Sequence, residues 1–192
     1  MKTKFPNHRF QIPGFITAGI SCGIKTNKQK DLALIFSKEP ATAAGVFTKN
    51  KVVSPTVTWC RKALVTSKTF RAILVNSGNA NACNGTKGME DCKKIASRLS
   101  QELFISPKEI LIASTGVIGV PLPREKILSA LPALSSRLSS TGWASTAEAI
   151  MTTDLASKSK SHTFKIGKHK INLGGIAKGS GMIHPNMATM LA

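Results

Sequence analysis

A lysine, Lys178, and a threonine hydroxyl, Thr189, stand in one glycine-rich stretch, Gly174-Gly-Ile-Ala-Lys-Gly-Ser-Gly-Met-Ile-His-Pro-Asn-Met-Ala-Thr-Met-Leu-Ala192. Four glycines (Gly174, Gly175, Gly179, Gly181) fall within eight positions there. The backbone is therefore free to take positive φ or to pass close to another group. Pro185 and Asn186 interrupt the run, and a small apolar tail carries Thr189. One reading is a glycine-rich loop entering a buried strand or helix, which composition alone favours. The other is a flexible loop that sets a cation near a nucleophile. Spacing does not choose between them.

The wording of the motif does. From Gly174 to Leu191 the chain resembles the signature of the bifunctional ornithine acetyltransferase / N-acetylglutamate synthase family of arginine biosynthesis. The resemblance extends to Asn76-Ser-Gly-Asn-Ala-Asn-Ala-Cys83, to Ala113-Ser-Thr-Gly-Val-Ile-Gly119 and to the Gly-Val-Phe-Thr element at 45–48. It implies a precursor that cuts itself between the Ala and Thr of an Ala-Thr-Met-Leu motif, here Ala188–Thr189. Thr189 would then open a second chain as its nucleophile. It also implies an oxyanion hole at Thr115 and Gly116, and substrate contacts from Thr152 and Lys178 as well as Thr189.

These assignments make chemical sense. A threonine hydroxyl is a poor nucleophile at neutral pH, but an N-terminal threonine has a base in its own α-amine, with a pKa of about 8. Cutting the bond from Ala188 creates that base. Acyl transfer also needs donors aimed at the developing oxyanion, and a strand end with a hydroxyl and a glycine N–H suits that task. A cation at Lys178 would pair with an amino acid's carboxylate. The implied reaction is ping-pong: Thr189 takes acetyl from N2-acetyl-L-ornithine and passes it to L-glutamate, with acetyl-CoA as a further donor in some members. No cofactor and no metal are implied. The family usually runs for about as many residues again, so the chain reads as the N-terminal half (alpha chain) of a hetero-oligomer whose C-terminal beta chain is absent, with little activity alone. The family's Thr-Pro-Lys after Thr-Thr-Asp is here Leu155-Ala-Ser-Lys158.

Elements must position these residues. Residues 13–24 read as a glycine-interrupted strand or turn, and Asp31–Ser37 as a buried strand broken by Glu39-Pro40. The stretches 44–50 and 51–59 read as β-rich, with Pro55 marking an edge or bulge. Arg71–Val75 is a buried strand running into Asn76–Gly85, either an Asx-turn loop or the polar wall of a site. Met89, Cys92, Ile95, Ala96, Leu99 and Leu103 recur at the helical period and predict a helix over 88–104, with Glu90 and Asp91 in its first turn. A strand over 110–114 delivers Thr115-Gly116. Helices follow over 124–139, kinked or broken at Pro132, and over 143–151. A hairpin over 161–166 and 170–173 leads into the glycine stretch. Strands alternate with helices only in the middle. The fold class is therefore α/β, a mixed layered sandwich of sheets and helices in a single domain over 1–192, and the resemblance makes it half of an N-terminal-nucleophile-like autoprocessing enzyme.

The totals fit that reading. The chain has 192 residues, 42% hydrophobic, and no run near the roughly 18 apolar residues of a membrane helix. The basic start lacks an apolar signal-peptide core, so a cytoplasmic location is expected. Cys22, Cys60, Cys83 and Cys92 show no metal-ligand spacing and read as buried free thiols. The net charge of +18 is the anomaly. Its lysines are scattered without interleaved tyrosine or a nucleic-acid-binding motif, so a solvated basic surface that draws in anionic substrates is favoured. The alternatives are a basic nucleic-acid-binding domain and a non-functional remnant.

Overall fold

The strand expected after Asp31 is β2, Leu32–Ala41, the second strand of a four-stranded sheet, in the computed structural model, which describes residues 11–179 and 190–192. The sheet order is β1-β2-β3-β4, with β1 at Phe15–Ile20, β3 at Phe70–Asn79 and β4 at Ile110–Val117. The first two pairings are antiparallel and the third is parallel, so the sheet is mixed. Pro40 does not end β2. The pairing shifts register between Phe36 and Ala41, and that irregularity takes in the residue that cannot donate to a ladder.

Period-two alternation divides the side chains between two layers. Ala18, Leu32, Leu34, Ala72, Leu74, Ile110 and Ile112 face α2 (Gly85–Leu103) and α3 (Arg124–Ser136). There they meet Ile95 and Leu99 of one helix and Ile127, Leu131 and Leu134 of the other. Ala33 and Val75 point the opposite way, onto Ala149 and Ile150 at the end of α4 (Trp143–Ala149). Gly19 on β1 lets α4 come this close, because a Cβ there would overlap the Ser145 carbonyl.

Two expectations fail for identifiable reasons. The β-rich stretch over 51–59 becomes α1, Pro55–Thr66, and residues 42–54 form no strand. Ser54 is its N-cap, accepting the Thr56 N–H at 3.3 Å, and Pro55 is pre-set for the first turn. Helix α2 starts at Gly85, so Glu90 and Asp91 lie beyond its first turn and the dipole argument lapses. Asp91 is buried instead and pairs with Arg124 at 2.8 Å. Pro132 sits inside α3 without breaking it.

Helix α1 also protects the open edge of β4. Its Trp59 indole donates to the Ile110 carbonyl at 2.8 Å, and its Cys60 thiol to that of Ile112 at 3.2 Å. Side chains thus occupy carbonyls that another strand would otherwise seek. On the far edge, Thr17 and Ser139 exchange two backbone hydrogen bonds of 2.9 and 3.0 Å. The hairpin, β5 (Lys158–Ile166) with β6 (His169–Ala177), is longer than the sequence indicated. It absorbs Gly174 and Gly175 into strand, so half of the glycine stretch is ladder and not loop.

Candidate active site

The end of β6 carries Lys178 into the protein, where it is 2% exposed. Its ammonium donates to the Thr152 hydroxyl at 2.8 Å. Burial pushes its pKa down, while the Asp154 carboxylate opposes that and Lys158 reinforces it. The Lys178 backbone exchanges hydrogen bonds of 2.8 and 3.2 Å with Leu191. Residues on either side of 180–189 are therefore joined at this lysine. Ala188 and Thr189, the cleavage pair and nucleophile of the sequence reading, lie outside the described residues, as does Gly181.

Thr152 follows α4 in a short turn closed by Asp154. Asp154 Oδ1 accepts from the Gly179 N–H at 2.8 Å and from Lys158 Nζ at 2.5 Å, and Oδ2 from the Thr152 N–H at 3.4 Å. Burial alone would raise the carboxyl pKa. The bonds from Lys158, Gly179 and Thr152 outweigh it and bring the value down to about 2.

Thr115 and Gly116 stand at the end of β4, as expected, opposite Ser77 and Gly78 of β3. Ala113, two residues earlier, packs with Ile176 and Leu191 against the Val75–Ile150 cluster. Alternation puts the buried Thr115 on that same face of the sheet. Ser77 ties the strand end to α4, donating to the Ala149 carbonyl at 2.6 Å. Gly116 has φ +136, and the Gly78–Asn79 backbone fills the space a Cβ would need. Only glycine fits there.

The Asn76–Gly85 segment resolves in favour of structure. Asn76 Nδ2 donates to the Asn79 carbonyl at 2.8 Å, Asn79 Nδ2 to Val120 at 3.1 Å, and Asn81 Nδ2 to Gly88 at 3.0 Å. These amides are spent on backbone, so the segment is a hydrogen-bonded scaffold beside the strand end. Another buried carboxylate, Asp31, shapes the loop after β1 by accepting from the N–H groups of Cys22, Ile24 and Lys25 at 2.6, 2.7 and 2.9 Å. Lys25 then reaches across to the Met151 carbonyl at 2.7 Å, next to Thr152. Burial lowers the Lys25 pKa, with Asp31 and Asp154 opposing and Lys178 adding to the drop.

The thiols are unpaired; Cys60 and Cys92 are buried, Cys22 partly so, and Cys83 is exposed, against the expectation of four buried thiols. Burial pushes Cys22 and Cys92 up to about 12. Among the described residues no group of three or more His, Cys, Asp or Glu could hold a metal ion, and no helix is long and apolar enough to cross a membrane.

A family model described as the ArgJ family matches residues 16–192, nearly the whole chain. The chain belongs to the ArgJ family. It is 48% identical over 179 residues to the arginine biosynthesis bifunctional protein ArgJ 1 of Nostoc sp., covering 93% of this chain and 43% of that protein. Against the ArgJ of Caldanaerobacter subterraneus the figures are 46% over 185 residues, with 96% and 45% covered. The chain thus spans less than half the length of these curated relatives. Two solved structures superpose closely at 35% identity. The ArgJ of Bacillus halodurans gives a TM-score of 0.85, with 93% of this chain and 92% of that one covered. The ornithine acetyltransferase of Mycobacterium tuberculosis, solved in complex with ornithine, gives 0.83, with 93% of each covered. The matched chain in each solved ArgJ structure is therefore about as long as this one.

The structure unites Thr152 with Lys178 directly. It sets Thr115 and Gly116 on the neighbouring strand end, linked through Ser77. Asp154 escaped the sequence reading as a site residue, although one signal was available. It is the last acidic residue in the chain, and it follows Thr152 by two positions in a lysine-rich stretch.

Proposed function

We propose that this ArgJ chain is the N-terminal half of an acetyltransferase that moves acetyl from N2-acetyl-L-ornithine to L-glutamate through an acetyl ester on Thr189. Lys178 carries the reading: a buried ammonium, already donating to Thr152, whose backbone is pinned to Leu191 just beyond the nucleophile position. Self-cleavage at Ala188–Thr189 supplies the α-amine. That amine takes the proton of the Thr189 hydroxyl as it attacks the acetyl carbonyl. Thr115 and Gly116 donate to the oxyanion that develops on that carbonyl. Ornithine leaves with a proton, and the amine of glutamate attacks the ester in the reverse sense.

The remaining ammonium protons of Lys178 suit a substrate α-carboxylate, and the Thr152 hydroxyl stays beside it. The relative solved with ornithine supports an ornithine-type ligand. Chains of matching length in the solved structures, beside curated relatives more than twice as long, support a two-chain enzyme whose partner is a C-terminal beta chain. The single-domain reading of 1–192, cytoplasmic action and acetyl-CoA as a second donor belong to the same proposal.

Mixing this chain with the C-terminal half of a curated relative, N2-acetyl-L-ornithine and L-glutamate should give N-acetylglutamate by mass spectrometry. Thr189→Ala should abolish both turnover and cutting of the covalently complete protein. An alanine variant that turns over like the wild type overturns the assignment.

A further inference from the structure

We propose that Asp154 is a positioning residue: its buried carboxylate fastens the Thr152 turn to the Lys178–Gly179 strand end, and so fixes where hydroxyl and ammonium meet a substrate carboxylate. The inference rests on the reading of Lys178 and Thr152 as substrate contacts and deepens it.

Geometry is the main support. The Asp154 side chain is 0% exposed, whereas its ion partner Lys158 is 51% exposed on β5. The bond to Lys158 accounts for one contact of one carboxylate oxygen and leads outward to an exposed strand. The bonds to main chain lead inward, to the site. One oxygen holds the Gly179 N–H, twenty-five residues away, and the other takes the Thr152 N–H. These are the residue next to Lys178 and Thr152 itself. One carboxylate thereby fastens both ends of the Lys178–Thr152 hydrogen bond.

Charge is the second support. Lys178 faces Lys158 from β5 and Lys25 from the loop after β1, and Asp31 stands behind Lys25. From Asp154 to the last residue there is no other Asp or Glu. Asp154 is the carboxylate that acts on Lys178, and it opposes the burial that would neutralise the ammonium. Removing it should move Lys178 towards the neutral form at lower pH. Removing Lys158 should do the opposite, since that lysine pushes Lys178 down. The first shift reports the charge of Asp154 at the lysine, and the change in KM reports its hold on the Thr152 turn and the strand end.

The test is steady-state kinetics of the two-part enzyme described above, with Asp154→Asn, Lys158→Met and Lys178→Ala. In Asp154→Asn, kcat/KM should fall roughly ten- to hundred-fold, mostly through KM for the amino-acid substrate. The alkaline limb of its KM profile should move to lower pH, and that of Lys158→Met to higher pH. An Asp154→Asn enzyme with wild-type KM and limb overturns the proposal, as does one that loses kcat uniformly with its limb unmoved. If Lys178→Ala raises KM and Asp154→Asn does not, only the positioning role fails. If Lys178→Ala leaves KM unchanged, the substrate-site reading fails with it. Should the asparagine variant not fold, an acid titration of the wild-type chain by NMR decides. The Gly179 and Thr152 amide protons should shift together with a midpoint of about 2. Amide protons at these two positions that do not respond to the carboxyl titration overturn the tie.

Discussion

Two antiparallel ladders in this protein have similar backbone and opposite surroundings. The β1–β2–β3 ladder lies between helices, with Leu32, Ala33 and Leu34 fully buried in succession. The β5–β6 hairpin is exposed along most of both strands, and Ile166 at 63% and Leu173 at 61% stand in water. The first ladder is held by the apolar area it buries. The second is held at its root, where Asp154 grips Lys158 and Gly179, Lys178 pairs with Leu191, and Ile176 joins the apolar cluster under α4. Backbone pairing alone therefore does not mark a stable unit; what lies on the faces does.

The largest break in this contrast comes from the sheet side. Leu131→Ala, which empties a fully buried position facing the sheet, should cost about 2–5 kcal/mol. A thermal melt should fall by roughly 2–4 °C for each kcal/mol lost.

A smaller and local effect is expected at the root of the hairpin. Asp154→Asn should cost about 1–3 kcal/mol. Amide exchange should speed up from Lys158 to Ala177, while the β1–β4 amides keep their protection. The sign with pH follows from the depressed carboxyl. Its folded pKa is about 2 against an ordinary 3.8, so its contribution is complete above about pH 4 and disappears as pH falls towards 2. Urea midpoints across that window should decline in the wild type and less so in Asp154→Asn. Equal slopes would show that the carboxylate contributes nothing to folding.

The smallest effect belongs to the hairpin's open surface. Ile166→Thr, on an already solvated strand, should change stability by no more than about 0.5 kcal/mol. A multi-kcal loss there would mean that the face is covered in solution.

The same contrast explains what the sequence disclosed. Helix α2 was legible because its six apolar residues keep the helical period over a long run, and the buried strands because β2, β3 and β4 each contain an unbroken apolar core between turn signals. Helix α1 was not. Thr56, Val57 and Thr58 look like a strand, and the Ser54-Pro55 start signal decides the matter only when given more weight than β-branching. At the site, the resemblance supplied Thr115, Gly116, Thr152 and Lys178, and the fold brings the last two into hydrogen-bond contact. Asp154 stayed hidden because its Lys158 pairing reads as an ordinary i,i+4 ion pair, while its bond to the Gly179 N–H, twenty-five residues away, is encoded by no local pattern. Asp31 and Lys25 were missed for the same reason, since both act on main-chain groups brought near by the fold.

The twin hydrogen bonds between Lys178 and Leu191 make residues 178–191 a closed ring, part covalent and part not. Opening the covalent part anywhere inside a ring does not release the pieces, because the non-covalent joint still holds them. Scission within that stretch would thus be distinct from separation. A newly made chain end would begin its existence tethered beside the lysine, without a diffusive search.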